Sequence, residues 1–122
     1  MKVFFDGGLR PLPAGMETAV VIGGRAFVAR DLGAGTSMEA EWLALIDAAR
    51  RVVAQGLGDV VLLGDAAAVV AQANGRVRVP AVHAGHLAAF LALKAGADAM
   101  RVRHIKRSQN LAGIALASGH AR

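Results

Sequence analysis

Along the chain the apolar and polar positions change period several times, and each change marks an element. Val3, Phe4 and Phe5 form a short apolar run ending on Asp6, which predicts a strand over residues 2–6. Residues 7–17 hold three glycines and two prolines and read as a turn-rich connection. Two β-branched and apolar runs, 18–22 and 25–30, flank Gly23-Gly24. A two-residue turn needs positive φ, so that pair predicts an antiparallel hairpin. From residue 39 the period becomes helical: Trp42, Leu45, Ile46, Val52 and Val53 recur with alanines between them, predicting a helix over 39–53. Ahead of it, Thr36-Ser37-Met38-Glu39 fits a capping box with Thr36 as N-cap and Glu39 at N3. That commits Glu39 to the helix end. Glu41, four residues before Leu45, shares the edge of the core-facing stripe, where a first-turn carboxylate needs a reason.

Residues 60–63 are continuously apolar and are followed by Gly64-Asp65, which predicts an interior strand covered on both faces. A helix over 66–73 is closed by Asn74-Gly75. A second comes next over 82–95, with Leu87, Phe90, Leu91 and Lys94 spaced along it. Residues 99–106 alternate as a strand, with Met100, Val102 and His104 on one face and Arg101 and Arg103 on the other. A short helix over 110–118 closes the string, β-β-β-α-β-α-α-β-α, an α/β chain with a mixed sheet. No repeat, low-complexity linker or charge block interrupts it, so one domain over 1–122 is expected.

Composition narrows the classes. Apolar residues make up 55% and charged residues 19%, which excludes disorder. With 27 alanines, 15 glycines and only 4% aromatics, helices and strands are expected to approach closely. The longest stretch free of Lys, Arg, Asp and Glu, residues 79–93, contains Pro80, His83 and His86, so no membrane span is expected. The opening MKVFFDGG has no long apolar region and does not read as a signal peptide. The absence of cysteine removes disulfides and thiolate metal sites and fits a cytoplasmic protein. Net charge is +5, unevenly placed: residues 1–65 carry six basic and eight acidic side chains, residues 66–122 eight basic ones and a single acid, Asp98. This division suits acids that hold metal ions beside a basic half that holds a polyanion. It equally suits a solvated basic surface.

Three acids stand out once placed on the string. Asp6 ends the predicted first strand, Asp65 ends the fourth, and Glu41 opens the first long helix. Ligands of open α/β sheets sit beyond the carboxyl ends of the strands. Converging carboxylates repel unless a cation joins them, and hard oxygen ligands suit Mg2+ or Mn2+. Taken singly, Asp6 or Asp65 reads as a cap for the next segment of chain. His83 and His86 are three apart on a predicted helix, but no other Cys or His is placed to complete a zinc site. His104 reads as a packed side chain, His120 comes after the last helix and matches no motif, and Trp42 reads as core. No glycine-rich loop followed by Lys is present, which argues against a nucleotide-binding ATPase.

The segments FFDGG, TSMEAEWLALIDAAR, VVLLGDAAAVVAQANG and IKRSQNLAGIALA, in this order, resemble the ribonuclease H family, and most its short type 1 members. The resemblance runs from residue 1 to about residue 118. Its most specific piece is T-x-x-E-A-E-[aromatic]-x-A-L over 36–45, followed by Asp65 with Val69, Val70 and Gln72. The resemblance implies a five-stranded mixed sheet in the order 3-2-1-4-5 flanked by helices. It also implies hydrolysis of the RNA strand of RNA–DNA hybrids at a two-metal site of Mg2+ or Mn2+. Asp6, Glu41 and Asp65 would be the catalytic, metal-holding carboxylates, with a metal-activated water attacking the phosphodiester in line. Gly7, Gly8, Arg10, Arg107 and Asn110 would contact nucleic acid, read through its 2′-hydroxyls and backbone. Arg76, Arg78 and Lys106 are candidates for phosphate contacts or ordinary surface charge.

One departure matters. The family's last helix reads R-x-x-N-x-x-A-D-x-L-A, matched here by Arg107, Asn110, Leu116 and Ala117, but its Ala-Asp falls on Gly113-Ile114. Isoleucine cannot bind a metal, and no acid occurs after Asp98. Ser37 and Met38 stand where paired Asn is common, and Ala66 comes after Asp65 where Ser is common. Two readings result: a metal-dependent endonuclease with weakened activity, or an inactive ribonuclease H-like domain that binds nucleic acid or another partner.

Overall fold

Val3 and Phe5 are fully buried on one face of the first strand, while Phe4 and Asp6 point to the other. The structure, a computed structural model, describes residues 1–97 and 99–120. Asp98 lies outside the described residues. Strand β1, Lys2–Leu9, runs three residues beyond the expected strand. Gly7 and Gly8 do not turn; they stay extended because β2, Met16–Ile22, pairs antiparallel with β1 from Val3↔Ile22 to Leu9↔Met16. Asp6 therefore lies inside a strand rather than at its end. The glycine-proline connection shrinks to residues 10–15. β3, Arg25–Ala29, closes the expected hairpin over Gly23 and Gly24, whose φ values are 57° and 79°.

β4, Asp59–Gly64, and β5, Ala99–His104, add to the other side of β1 in parallel. The sheet order is β3-β2-β1-β4-β5, and this five-stranded mixed sheet flanked by helices is the one the resemblance implied. Helix α1, Ser37–Ala54, begins at Thr36, whose Oγ1 accepts the Glu39 N–H at 3.0 Å. Its Ala40, Ala44 and Ala48, spaced one turn apart, are fully buried, and their small size lets the helix lie close against the sheet. Trp42, Leu45 and Val52 fill the core between α1 and the strands. Each such buried Leu or Val contributes about 1.5–3 kcal/mol. Helix α2, Ala67–Ala73, and helix α3, Ala84–Ala95, complete this layer.

The expected helix over 82–95 instead opens as a 3-10 turn, Ala81–His83, behind Pro80. β5 stops at His104, two residues early, because Ile105 and Lys106 lead into a second 3-10 turn, Arg107–Gln109. His104 is exposed, against the expectation of a packed side chain: β5 is an edge strand, and only Met100 and Val102 reach the core. Helix α4, Leu111–Ser118, covers the opposite face of β1 and β2 over a small cluster of Ala19, Val21, Ala112 and Leu116. Among the described residues no helix is long and apolar enough to cross a membrane.

Candidate metal centre

β1 forks where the candidate carboxylates meet. Up to Phe4 it pairs in parallel with β4, and beyond that only with β2. β4 ends at Gly64, whose missing side chain makes room for the ring of Phe5, and the next residue, Asp65, lies beside Asp6. Asp6 projects from the α4 face of β1. Glu41 arrives from the α1 face and reaches around the open end of β4. It is the fifth residue of α1 and so stands in the second helical turn, not the first.

Glycine at position 7 makes that reach possible. A Cβ there would overlap the backbone of Ala40 and Glu41, so only glycine lets α1 settle this close. The Gly7 N–H donates to Glu41 Oε1. One oxygen each of Asp6, Glu41 and Asp65 lies within 4.8 Å of the others, and all three residues are half-buried.

Crowding carboxylates in a partly dry site raises their proton affinity. Burial, then repulsion from Asp65, pushes Asp6 from 3.8 up to about 6, while its bond with Glu41 and the Arg107 charge act the other way. Burial, then repulsion from Asp6, pushes Glu41 from 4.5 up to about 8, against the pull of the Gly7 N–H. The pair thus shares a proton near neutrality, with Glu41 donating to Asp6. Asp65 is held differently: Asn110 Nδ2 donates to its Oδ2 at 2.9 Å. An all-oxygen donor set of this charge, half-shielded from water, fits a hard divalent cation.

Asn110 is fully buried. Its Nδ2 also donates to the Phe5 carbonyl at 3.0 Å, and its Oδ1 accepts the Ala112 N–H at 3.1 Å, capping α4. Its side-chain amide is thus committed to these three partners and orients Asp65. Gly7, Gly8, Arg10 and Arg107, by contrast, line open clefts on either side of β1, of about 520 and 430 Å³. Ile114, 57% exposed, forms part of one wall. Beside it, a Cβ on Gly113 would lie 3.3 Å from Asp6 Oδ2. The first turns of α4 thus stand over Asp6 but present no oxygen to it.

Sequence reasoning missed Glu17. It is 4% exposed at the end of the first cleft, its Oε1 2.9 Å from Arg30 Nη1 and its Oε2 2.8 Å from His120 Nε2. Arg30 Nη2 also donates to the Leu116 carbonyl at 3.1 Å. These partners are up to 103 residues apart, and no local pattern announces them. His86 stacks on Trp42, with ring centroids 6.3 Å apart, and on His83 at 5.9 Å. Its Nε2 is 3.8 Å from Glu39 Oε2. Among the described residues only the acidic trio forms a group able to hold a metal ion. Trp42 is wholly buried, its Nε1 donating to Gln72 Oε1 at 3.3 Å. Arg78 and Lys106 are exposed, and Arg76 lines a separate cleft beside β5.

The family model described as reverse transcriptase-like matches residues 20–120. No curated protein sequence is matched. Among solved structures, ribonuclease H1 from the halophilic archaeon Halobacterium salinarum NRC-1 aligns with a TM-score of 0.79 at 25% identity, over 94% of this chain and 92% of that one. The N-terminal ribonuclease H domain of a Mycobacterium tuberculosis protein, solved as a fusion with maltose-binding protein, aligns at 0.75 and 22% identity, over 98% and 97%. LC11-RNase H1, isolated from compost and solved in complex with an RNA/DNA hybrid, shares the fold at 0.74 and 22% identity, over 94% and 91%.

Proposed function

This chain belongs to the reverse transcriptase-like family and forms a ribonuclease H-like domain, and on that premise we propose that it hydrolyses the RNA strand of RNA–DNA hybrids, with Asp6, Glu41 and Asp65 as its catalytic, metal-holding residues. The observation that carries the reading is the meeting of three carboxylates from β1, α1 and the end of β4 within 4.8 Å. Nothing in packing a core requires that costly arrangement. Mg2+ or Mn2+ held there would lower the pKa of a water and offset the charge that develops on the phosphodiester.

The chain's own residues do the rest. Asn110 fixes Oδ2 of Asp65 and so sets the direction of that carboxylate. The proton shared by Asp6 and Glu41 must leave before both serve as ligands, so cation affinity rises with pH. Gly7 and Gly8 line the clefts with backbone alone, and Arg10 and Arg107 flank them as exposed cations for phosphates. A hybrid bound to LC11-RNase H1 supports the same ligand class here. Ile114 supplies an apolar wall where the family has a carboxylate, which weakens the site.

Ile114 and Ala66 favour a second reading, a hybrid-binding or interaction domain that no longer cuts. Cleavage of an end-labelled RNA–DNA hybrid in Mg2+ and in Mn2+, beside an Asp65→Asn control, separates the two. Cleavage that falls by roughly a hundredfold or more in the control supports the enzyme. Folded protein that cuts in neither metal refutes it.

A further inference from the structure

We propose that the cleft at the outer edge of β5 is a second phosphate-binding site, which takes the nucleic-acid backbone beyond the region being cut. The cleft, about 640 Å³, is framed by Asn74, Arg76, Lys94, Arg101, Arg103 and His104. Among the described residues no carboxylate lines it.

Charged residues on an edge strand commonly guard it against pairing with another chain. That accounts for Arg101 and Arg103 but not for the other two cations. Arg76 comes from the exit of α2, Lys94 from the last turn of α3 and the two arginines from β5, so cationic residues of three separate elements border one concavity. The concavity is also built firmly. Asn74 Nδ2 donates to the Val102 carbonyl at 2.9 Å, tying the end of α2 to the edge strand and fixing Arg76 relative to Arg101 and Arg103. Of the four cations, Arg101 alone has a carboxylate partner among the described residues, Asp59 Oδ1 at 3.2 Å. Both side chains of that pair are more than half exposed, so it is worth about 0–1 kcal/mol and yields readily to a phosphate.

The cleft's position points to a nucleic acid as its occupant. His104 pairs with Gly64, the residue before Asp65, and the Ile105 N–H donates to the Gly64 carbonyl at 2.9 Å. One end of the cleft is therefore a single strand spacing, about 4.8 Å, from the strand that delivers Asp65. The other end, at Arg101, lies three residues back, or ~10 Å. One strand of a duplex carries a phosphate per ~3.4 Å of axis, so this length faces about three phosphates. Arg107, three residues past His104, lines the cleft that Glu41 also lines, so positive charge continues toward the carboxylates.

The inference rests on the hybrid-binding reading above, and one titration keeps the two apart. A labelled hybrid of about two helical turns is bound at several salt concentrations, in the Asp65→Asn background so that no strand is cut. Removing one phosphate-binding cation lowers the slope of log K against log salt by about 0.9. Arg76→Gln with Arg103→Gln together are expected to flatten the slope by nearly 2 and to weaken binding on the order of tenfold or more near 0.1 M salt. Arg50→Gln, which removes an exposed charge from α1, is the matched control and changes neither. Thermal melts confirm that the variants are folded. If the double variant binds with the affinity and slope of the control, the second site is refuted while the hybrid-binding reading stands. If the parent protein binds no hybrid at any salt, that reading falls and takes the inference with it.

Discussion

Replacing Glu41 with Gln removes the most perturbed carboxyl of the acidic trio and keeps its size and its acceptor for the Gly7 N–H. Burial and the neighbouring acids push Glu41 from 4.5 up to about 8. Between those values the folded protein keeps a proton that the unfolded chain has released, so the fold weakens as pH rises. The stability is fully present below 4.5 and is lost progressively toward about 8. Each pH unit in that window costs about 1.36 kcal/mol, or roughly 3 kcal/mol between pH 4.5 and 7. With an unfolding entropy near 2.1 cal/mol/K per residue, the melting temperature of the metal-free protein falls by about 10 °C over that range. Asp6, raised to about 6, adds a smaller fall that ends near that pH. Calorimetric melts in EDTA across this range test the reasoning. The Glu41→Gln protein is expected to lose most of the slope. Mn2+ added near pH 8 is expected to raise the parent's melting temperature and leave the variant's nearly unchanged. Parallel slopes for the two proteins would refute the claim that Glu41 holds its proton in the fold.

Other expectations come from single contacts. Ile114→Asp places a carboxylate on the cleft wall next to Gly113, whose Cβ position is 3.3 Å from Asp6 Oδ2. A gain of roughly tenfold or more in hybrid cleavage is expected, and an unchanged rate in both metals would show that position 114 does not reach the site. Asn110→Ala strips partners from the Phe5 carbonyl, the Ala112 N–H and Asp65. It is expected to lower stability by about 2–4 kcal/mol in urea unfolding. Gly7→Ala drives a methyl into the backbone of Ala40 and Glu41. It is expected to cost about 1–3 kcal/mol and to abolish saturable Mn2+ binding by calorimetric titration, because α1 must back away from Asp6.

Local chemistry made much of this fold legible. Gly23-Gly24 marked a hairpin because few other pairs accept two positive φ values in a row. Thr36 marked the start of α1 because its hydroxyl satisfies a backbone donor three residues on. Gly7-Gly8 misled for an instructive reason: position 7 lacks a side chain so that a helix can approach, not so that the chain can bend. Nothing within ten residues of it distinguishes those two uses, since the cause sits on α1. His104 misled because alternation along a strand says which residues share a face, while the neighbours that cover the face come from α2 and stop at Val102. The carboxylate trio was read from expected strand and helix ends, although Asp6 stands inside β1 and Glu41 in the second turn of α1. Its linkage through Asn110, and the Glu17, Arg30 and His120 cluster, are products of long-range closure and carry no periodic signature.

The seating of α4 has a consequence for the order in which the molecule becomes competent. The large core between α1 and the sheet draws on residues 3–102, whereas α4 rests on four small or medium apolar residues, the Asn110 amide and the reach of Arg30. Chains are synthesised from the N-terminus. A nascent chain that ends before Asn110, or one clipped there by a protease, keeps the large core and all three carboxylates but has nothing to orient Asp65. Full arrangement of the carboxylate trio thereby waits for α4 to dock, whatever the rest of the core has already achieved.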